Sequence, residues 1–166
     1  SASSNYTFTG PGALAGAGSL IKDGTGTLVI ASTNGFSGGT TISNGTIQLG
    51  DGTLPGTLGS GAVTNDATLA FSHAATSVVA NTIIGTGRVI QAGSGVAVLT
   101  ATNTYAGGTA ITAGTLQLGN GGLPGALGAG AVLNDGTLAF NHSGAGTFAN
   151  PISGLGSLVK SGGGTL

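Results

Sequence analysis

TTISNGTIQLG (Thr40–Gly50), AVTNDATLAFSH (Ala62–His73) and TIIGTGRVIQAG (Thr82–Gly93) follow one another at near-regular intervals, and each is a short alternation, a turn and a second alternation. In Thr46–Leu49, Ile47 and Leu49 fall on one side of an extended chain and Thr46 and Gln48 on the other, the period of a strand. The turns hold residues that tolerate positive φ: Asn44-Gly45, Asn65-Asp66, Gly85-Thr86-Gly87 and Ala113-Gly114. β-branched residues and glycine dominate and glutamate is missing, so long helices are not expected. The chain reads as strand and turn throughout.

A longer repeat encloses this short one. With Gly16 laid over Gly85, Gly16–Ile84 aligns with Gly85–Ser153 without a gap, and just over half of the positions are identical. A third copy opens at Gly154 and stops at Leu166, the equivalent of Leu28, inside an apolar strand pattern. We therefore expect residues 1–166 to be a single solenoid segment (units 16–84, 85–153 and a truncated copy from 154) cut from a longer protein. The start at Ser1, with no Met and no basic stretch, fits that expectation.

Two all-β folds compete for this pattern. Asn-Gly between alternating segments is a strong hairpin signal and would give antiparallel meanders or a sandwich. A coil of roughly 22 residues recurring about seven times suits a parallel β-helix, in which each coil stacks on the last and buries a continuous core. Apolar residues then form columns. Ile47, Leu69, Leu116 and Leu138 are expected at like positions, as are Leu49, Phe71, Leu118 and Phe140. Asn44-Gly45, Asn65-Asp66 and Asn134-Asp135 are expected at turns, and Asn34 and Asn103 at corners, where their amides could stack into a ladder.

Composition narrows function by exclusion. Only 3 basic and 4 acidic residues occur among 166, and the mean hydropathy is +0.41. Lys22, Arg88 and Lys160 cannot build the basic groove that nucleic acid requires. Without cysteine there is no disulfide, thiol catalysis or thiolate metal site. No apolar run approaches the length of a membrane span, so no membrane-inserted helix is expected.

GSLIKDGTGTLVIASTNGFSGGTTISNGTIQLG (Gly18–Gly50) resembles the passenger-associated β-helix repeat of bacterial autotransporters, the type V secreted proteins. The marks are GTGTL at Gly24, Asn34 followed by Phe36, then GGTTI and GTIQLG. The second copy keeps Asn103, Tyr105, GGTAI and GTLQLG, but loses the Thr-Leu pair at Gly93–Val98 and carries Gln91 for the lysine. The resemblance implies a right-handed β-helix at the surface of a Gram-negative bacterium, anchored or released. It would be exported through an outer-membrane barrel formed by the protein's own C-terminus, outside this chain. It also implies adhesion to host or bacterial glycans and proteins, or self-association as in biofilms. A stalk for a catalytic domain elsewhere in the protein is the alternative.

Chemistry within the chain is not expected. His73 and His142 are repeat equivalents, placed about three coils apart in turns or at the surface, too far to share a metal. Asp66 and Asp135 are equally separated, whereas glycoside hydrolysis wants two carboxylates within about 10 Å. The aspartates read as turn caps. Phe71 and Phe140 read as core, and Phe36 and Tyr105 as corner packing. No catalytic residue, cofactor or metal is expected.

Overall fold

The computed structural model describes residues 3–166. Among them every strand pairing is parallel and no helix occurs. Partners lie a full coil apart along the chain: Thr27 faces Thr46, Thr46 faces Thr68, and Thr109 faces Val132. A hairpin would pair neighbours in sequence through a tight turn, so these long offsets exclude it. The protein is a parallel β-solenoid whose longest sheet stacks eight strands, one from each turn. It makes more turns than the seven expected because several coils are shorter than the average period suggested. Thr27 already meets its partner at Thr46, and Thr76 at Val96.

The stacking gives sheets of eight, five, four and two strands. Leu28, Ile47, Leu69 and Val89 stack in the eight-stranded sheet, each buried with its side chain in the core. Ala97, Leu116, Leu138 and Leu158 stack in the five-stranded sheet. The residues expected to line the core, Ile47, Leu49, Leu69, Phe71, Leu116, Leu118, Leu138 and Phe140, are all buried. They form separate columns on two sheets, not the shared columns the repeat suggests.

Winding explains the split. The chain visits three sides of the rod in a fixed order. From Thr27 the register runs through Thr46 and Thr68 to Arg88, three full turns, and the repeat equivalent Val96–Leu99 lies one side further on, so one unit of the long repeat makes three and one-third turns. Each copy therefore begins one side further round. The three copies of one strand show it directly. Leu20–Lys22 lies in the four-stranded sheet, Arg88–Gln91 in the eight-stranded sheet and Ser157–Ser161 in the five-stranded sheet.

Glycine is required where turns bend or coils approach. Gly45 and Gly114, equivalent positions, take φ of 71° and 58°. No residue other than glycine has positive φ among the described residues, so Asn65-Asp66 turns without it. At Gly56 and Gly125 an added Cβ would collide with the carbonyls of Ile30 and Leu99 in the preceding coil.

Candidate functional surface

The polar side chains nearest the core serve the backbone. Asn34 Oδ1 accepts from Leu14 N at 2.8 Å, while Nδ2 donates to the carbonyls of Ser32 and Thr57. Asn103 repeats this with Ile83 N, Ala101 O and Ala126 O. Each buried amide thus ties three successive coils by satisfying backbone groups that the corner would otherwise leave unpaired. The expected amide ladder does not form, because the two asparagines bond to backbone and stand on different sides of the rod. Phe36 and Tyr105 beside them are core residues, and the Tyr105 hydroxyl meets Thr109 Oγ1 at 2.7 Å. Burial pushes the Tyr105 phenol above its ordinary pKa.

The turn residues divide in two. Asn65 and Asn134 are buried and donate from Nδ2 to Arg88 O and Ser157 O in the next coil. Asp66 Oδ1 accepts from Thr86 N and Thr86 Oγ1, and Asp135 Oδ1 from Leu155 N, so these carboxylates brace the following coil instead of capping their own turn. Asp51 does cap its own loop, accepting from Thr53 N and Leu54 N. Asn44 Nδ2 donates to Asp23 Oδ1 at 2.8 Å. That bond and one from Gly24 N hold the Asp23 carboxyl below the usual range, and the Leu54 and Thr53 amides do the same for Asp51. Lys22 is buried and its Nζ donates to Gly24 O and Asn44 O. At the equivalent place Gln91 Nε2 donates to Gly93 O and Gly95 O, so the substitution keeps the bond to the carbonyl two residues on but makes no bond to the next coil.

His73 is fully buried rather than at the surface, with Nδ1 2.8 Å from Ala75 O. It and His142 follow strands of different sheets, so turning of the repeat separates them as well as stacking. No group of three metal-ligating side chains forms among the described residues.

Sequence reading missed Asn81 and Asn150, which donate from Nδ2 to the carbonyls of Gly59 and Gly61, and of Gly128 and Gly130. Their identity across the long repeat was the available signal. It also missed that Gln48 and Gln117 each tether the carbonyl two positions further on.

Outside, regular and mostly uncharged columns run along the sheets, and the exposed charges are few: Asp23, Asp51, Asp66 and Asp135, with Arg88 and Lys160. On the eight-stranded sheet Thr27, Thr46 and Thr68 stack in one outward column that ends at Arg88, whose Nε donates to Thr68 Oγ1. Beside it run Val29, Gln48, Ala70, Ile90, Ala110 and Leu133. The five-stranded sheet presents Thr76, Val96, Thr115, Thr137 and Ser157 beside Val78, Gln117 and Val159, with Val98 and Ala139 of the same column buried between their neighbours. Large aromatics are inside: Phe36, Phe71, Tyr105 and Phe140 are buried, and among the described residues only Tyr6 and Phe8 near the N-terminus are exposed. The clefts are shallow, of about 250 to 370 Å³.

A charge-poor parallel solenoid whose polar side chains are spent on its own corners defines a repeat-built rod. Residues 20–49 and 89–118 match the passenger-associated-transport-repeat family. Over an alignment of 185 positions the chain is 35% identical to the adhesin BmaC autotransporter of Brucella suis biovar 1 (strain 1330), covering 93% of this chain and 5% of that protein. It therefore spans about one-twentieth of the curated relative it matches. No solved structure matches it. The chain is an autotransporter passenger sequence with β-helix repeats.

Proposed function

We propose that this stretch of passenger is a contact-making rod, working outside the cell by adhesion or self-association and not by catalysis. The observation that carries the reading is the division of labour among side chains. Each of the four carboxylates accepts a hydrogen bond within a turn or from the next coil, while uncharged Thr, Val, Gln and Ala columns face outward. Low charge removes the repulsion that would oppose close approach of another surface or another rod. The adhesin relative supports the same direction. The cell surface of a Gram-negative bacterium is the proposed setting, with the protein's own outer-membrane barrel as partner in export. Surface glycans or proteins, or a second rod, are the proposed contacts.

The test is display of residues 1–166 from an outer-membrane barrel on a non-adherent Gram-negative host. Attachment to epithelial cells and settling of the culture are measured against the barrel alone. Gain of either supports the reading. No gain in both, with surface display verified by antibody, overturns it.

A further inference from the structure

An asparagine followed by glycine carries the means to modify itself. The glycine nitrogen gives its proton to solvent and attacks the asparagine Cγ. An N–Cγ bond forms as the Cγ–Nδ2 bond breaks, and the leaving nitrogen takes a proton from water and departs as ammonia. Water then opens the cyclic imide at either carbonyl, leaving aspartate or isoaspartate. The attack needs a glycine nitrogen whose proton is free to leave and a side chain free to turn toward it. Asn34-Gly35, Asn44-Gly45 and Asn120-Gly121 carry the dipeptide.

The fold treats the three differently. Gly35 N donates to Leu14 O at 2.8 Å, and Asn34 is buried with both ends of its amide bonded. Gly121 N donates to Asn141 O at 2.9 Å. Asn120 Oδ1 is held by the Gly122 and Leu123 amides of its own loop, as Asp51 Oδ1 is by the Thr53 and Leu54 amides of the other. A nitrogen whose proton is committed to a carbonyl must break that bond before it attacks. Gly45 N, in contrast, has no hydrogen-bond partner among the described residues. Asn44 is exposed, and its side chain makes one bond, from Nδ2 to Asp23 Oδ1.

Lys22 adds activation. Its Nζ donates at 3.2 Å to Asn44 O, the carbonyl of the peptide bond whose nitrogen must attack. Loss of the Gly45 amide proton spreads negative charge onto that oxygen, so the ammonium stabilises the reacting form. Glycine is also the residue that this position requires, because an added Cβ would meet the Gly24 and Gly26 carbonyls and Lys22 Nζ. In the second copy Gln91, Ala92 and Ala113 stand for Lys22, Asp23 and Asn44, so the three side chains are lost together. Gly114 keeps the turn there with φ of 58°, so the turn itself is built without them.

We infer that Asn44-Gly45 is a self-modifying site, activated by Lys22, which converts to aspartate or isoaspartate while Asn34 and Asn120 are protected. Conversion removes the amide that donates to Asp23 and sets a second carboxylate in its place. The Asp23 carboxyl, now held low chiefly by that amide, would then face a like charge and titrate higher. Isoaspartate also adds a backbone atom to the turn between Thr40–Ile42 and Thr46–Leu49, so this step of the rod loosens with age.

The test is peptide mapping by mass spectrometry of the purified chain, aged at neutral and at mildly alkaline pH, with replacement of amide by hydroxyl followed at each Asn-Gly. Asn44 should convert at least about tenfold faster than Asn34 and Asn120, the order of effect of one hydrogen bond on the nucleophile. It should convert faster still at the higher pH, and in urea the three sites should convert at like rates. Lys22→Gln should slow Asn44 about tenfold, whereas Lys22→Arg, which keeps the charge, should leave it near the wild-type rate. Circular dichroism checks that both variants keep the β spectrum. An intact Asn44, or equal rates at the three sites in the folded chain, overturns the inference. So does a Lys22→Gln chain that converts as fast as Lys22→Arg.

Discussion

The two full copies of the repeat, Gly16–Ile84 and Gly85–Ser153, are alike in their bonds and unlike in their address. Asn34 and Asn103 make the same three-coil connection, Gln48 and Gln117 the same tether, and Asn81 and Asn150 the same pair of donations. Yet Thr46–Leu49 belongs to the eight-stranded sheet and Thr115–Leu118 to the five-stranded sheet. Local sequence therefore fixes how a coil is built, while the number of turns in a unit fixes which way it faces. Three full turns and one further side make up each unit, and that remainder carries each copy one side round.

If the copies are equivalent in structure, equivalent substitutions should cost the same on different sides of the rod. Asn34→Ala and Asn103→Ala each remove one acceptor and two donations at a buried corner, and each should lose about 3 kcal/mol in urea unfolding. Losses differing by more than about 1 kcal/mol would break the equivalence. Next comes Lys22. Lys22→Met strips the Gly24 and Asn44 carbonyls of their donor and should cost about 2 kcal/mol, whereas Lys22→Gln should cost about 1 kcal/mol, because a glutamine keeps the bond two residues on, as Gln91 does, and loses the one to the next coil. Tyr105→Phe removes the hydrogen bond to Thr109 Oγ1 and restores the residue type of the first copy, Phe36. A loss of about 1 kcal/mol is expected in thermal unfolding.

The smallest effect separates the two loops. Asp51 is held below its ordinary value, so its contribution is full above the usual carboxylate range and lost as pH falls through the folded value. Asn120 makes the same turn without a charge. Asp51→Asn should therefore match the wild type at pH 7 and fall less steeply than it below about pH 3.8, read from the melting temperature at each pH. Parallel curves would remove the carboxylate from the account.

Strand-and-turn character, the stacked fold and the long repeat were legible because alternation, turn chemistry and self-similarity are written in consecutive residues. Winding was not. A gapless repeat invites the reading that equivalent residues stack, and nothing local in Ile47 or Leu116 reveals that their columns part. Coils of unequal length also hide the turn count from a single average period: Thr27 to Thr46 is a short step, Thr46 to Thr68 a longer one and Thr109 to Val132 longer still. His73 was misplaced for a related reason: it ends an apolar strand in a polar turn, yet the next coil, at Gly93, covers it. Asn34 and Asn103 were recognised as corners, but their partners sit in the coils before and after, as Leu14 and Thr57 do for Asn34, beyond any local pattern.

The one-side advance per copy is tested most directly by dipolar EPR on two doubly spin-labelled chains, Gln48→Cys with Ala110→Cys and Gln48→Cys with Gln117→Cys. Ala110 stands three strands along the same outward column as Gln48, through Ala70 and Ile90, about 14 Å away. Gln117 is the repeat equivalent of Gln48 but faces outward from another sheet. The structure predicts that the pair with Ala110 is the closer one. A closer pair with Gln117 would mean that the repeat closes on whole turns, and would contradict the account.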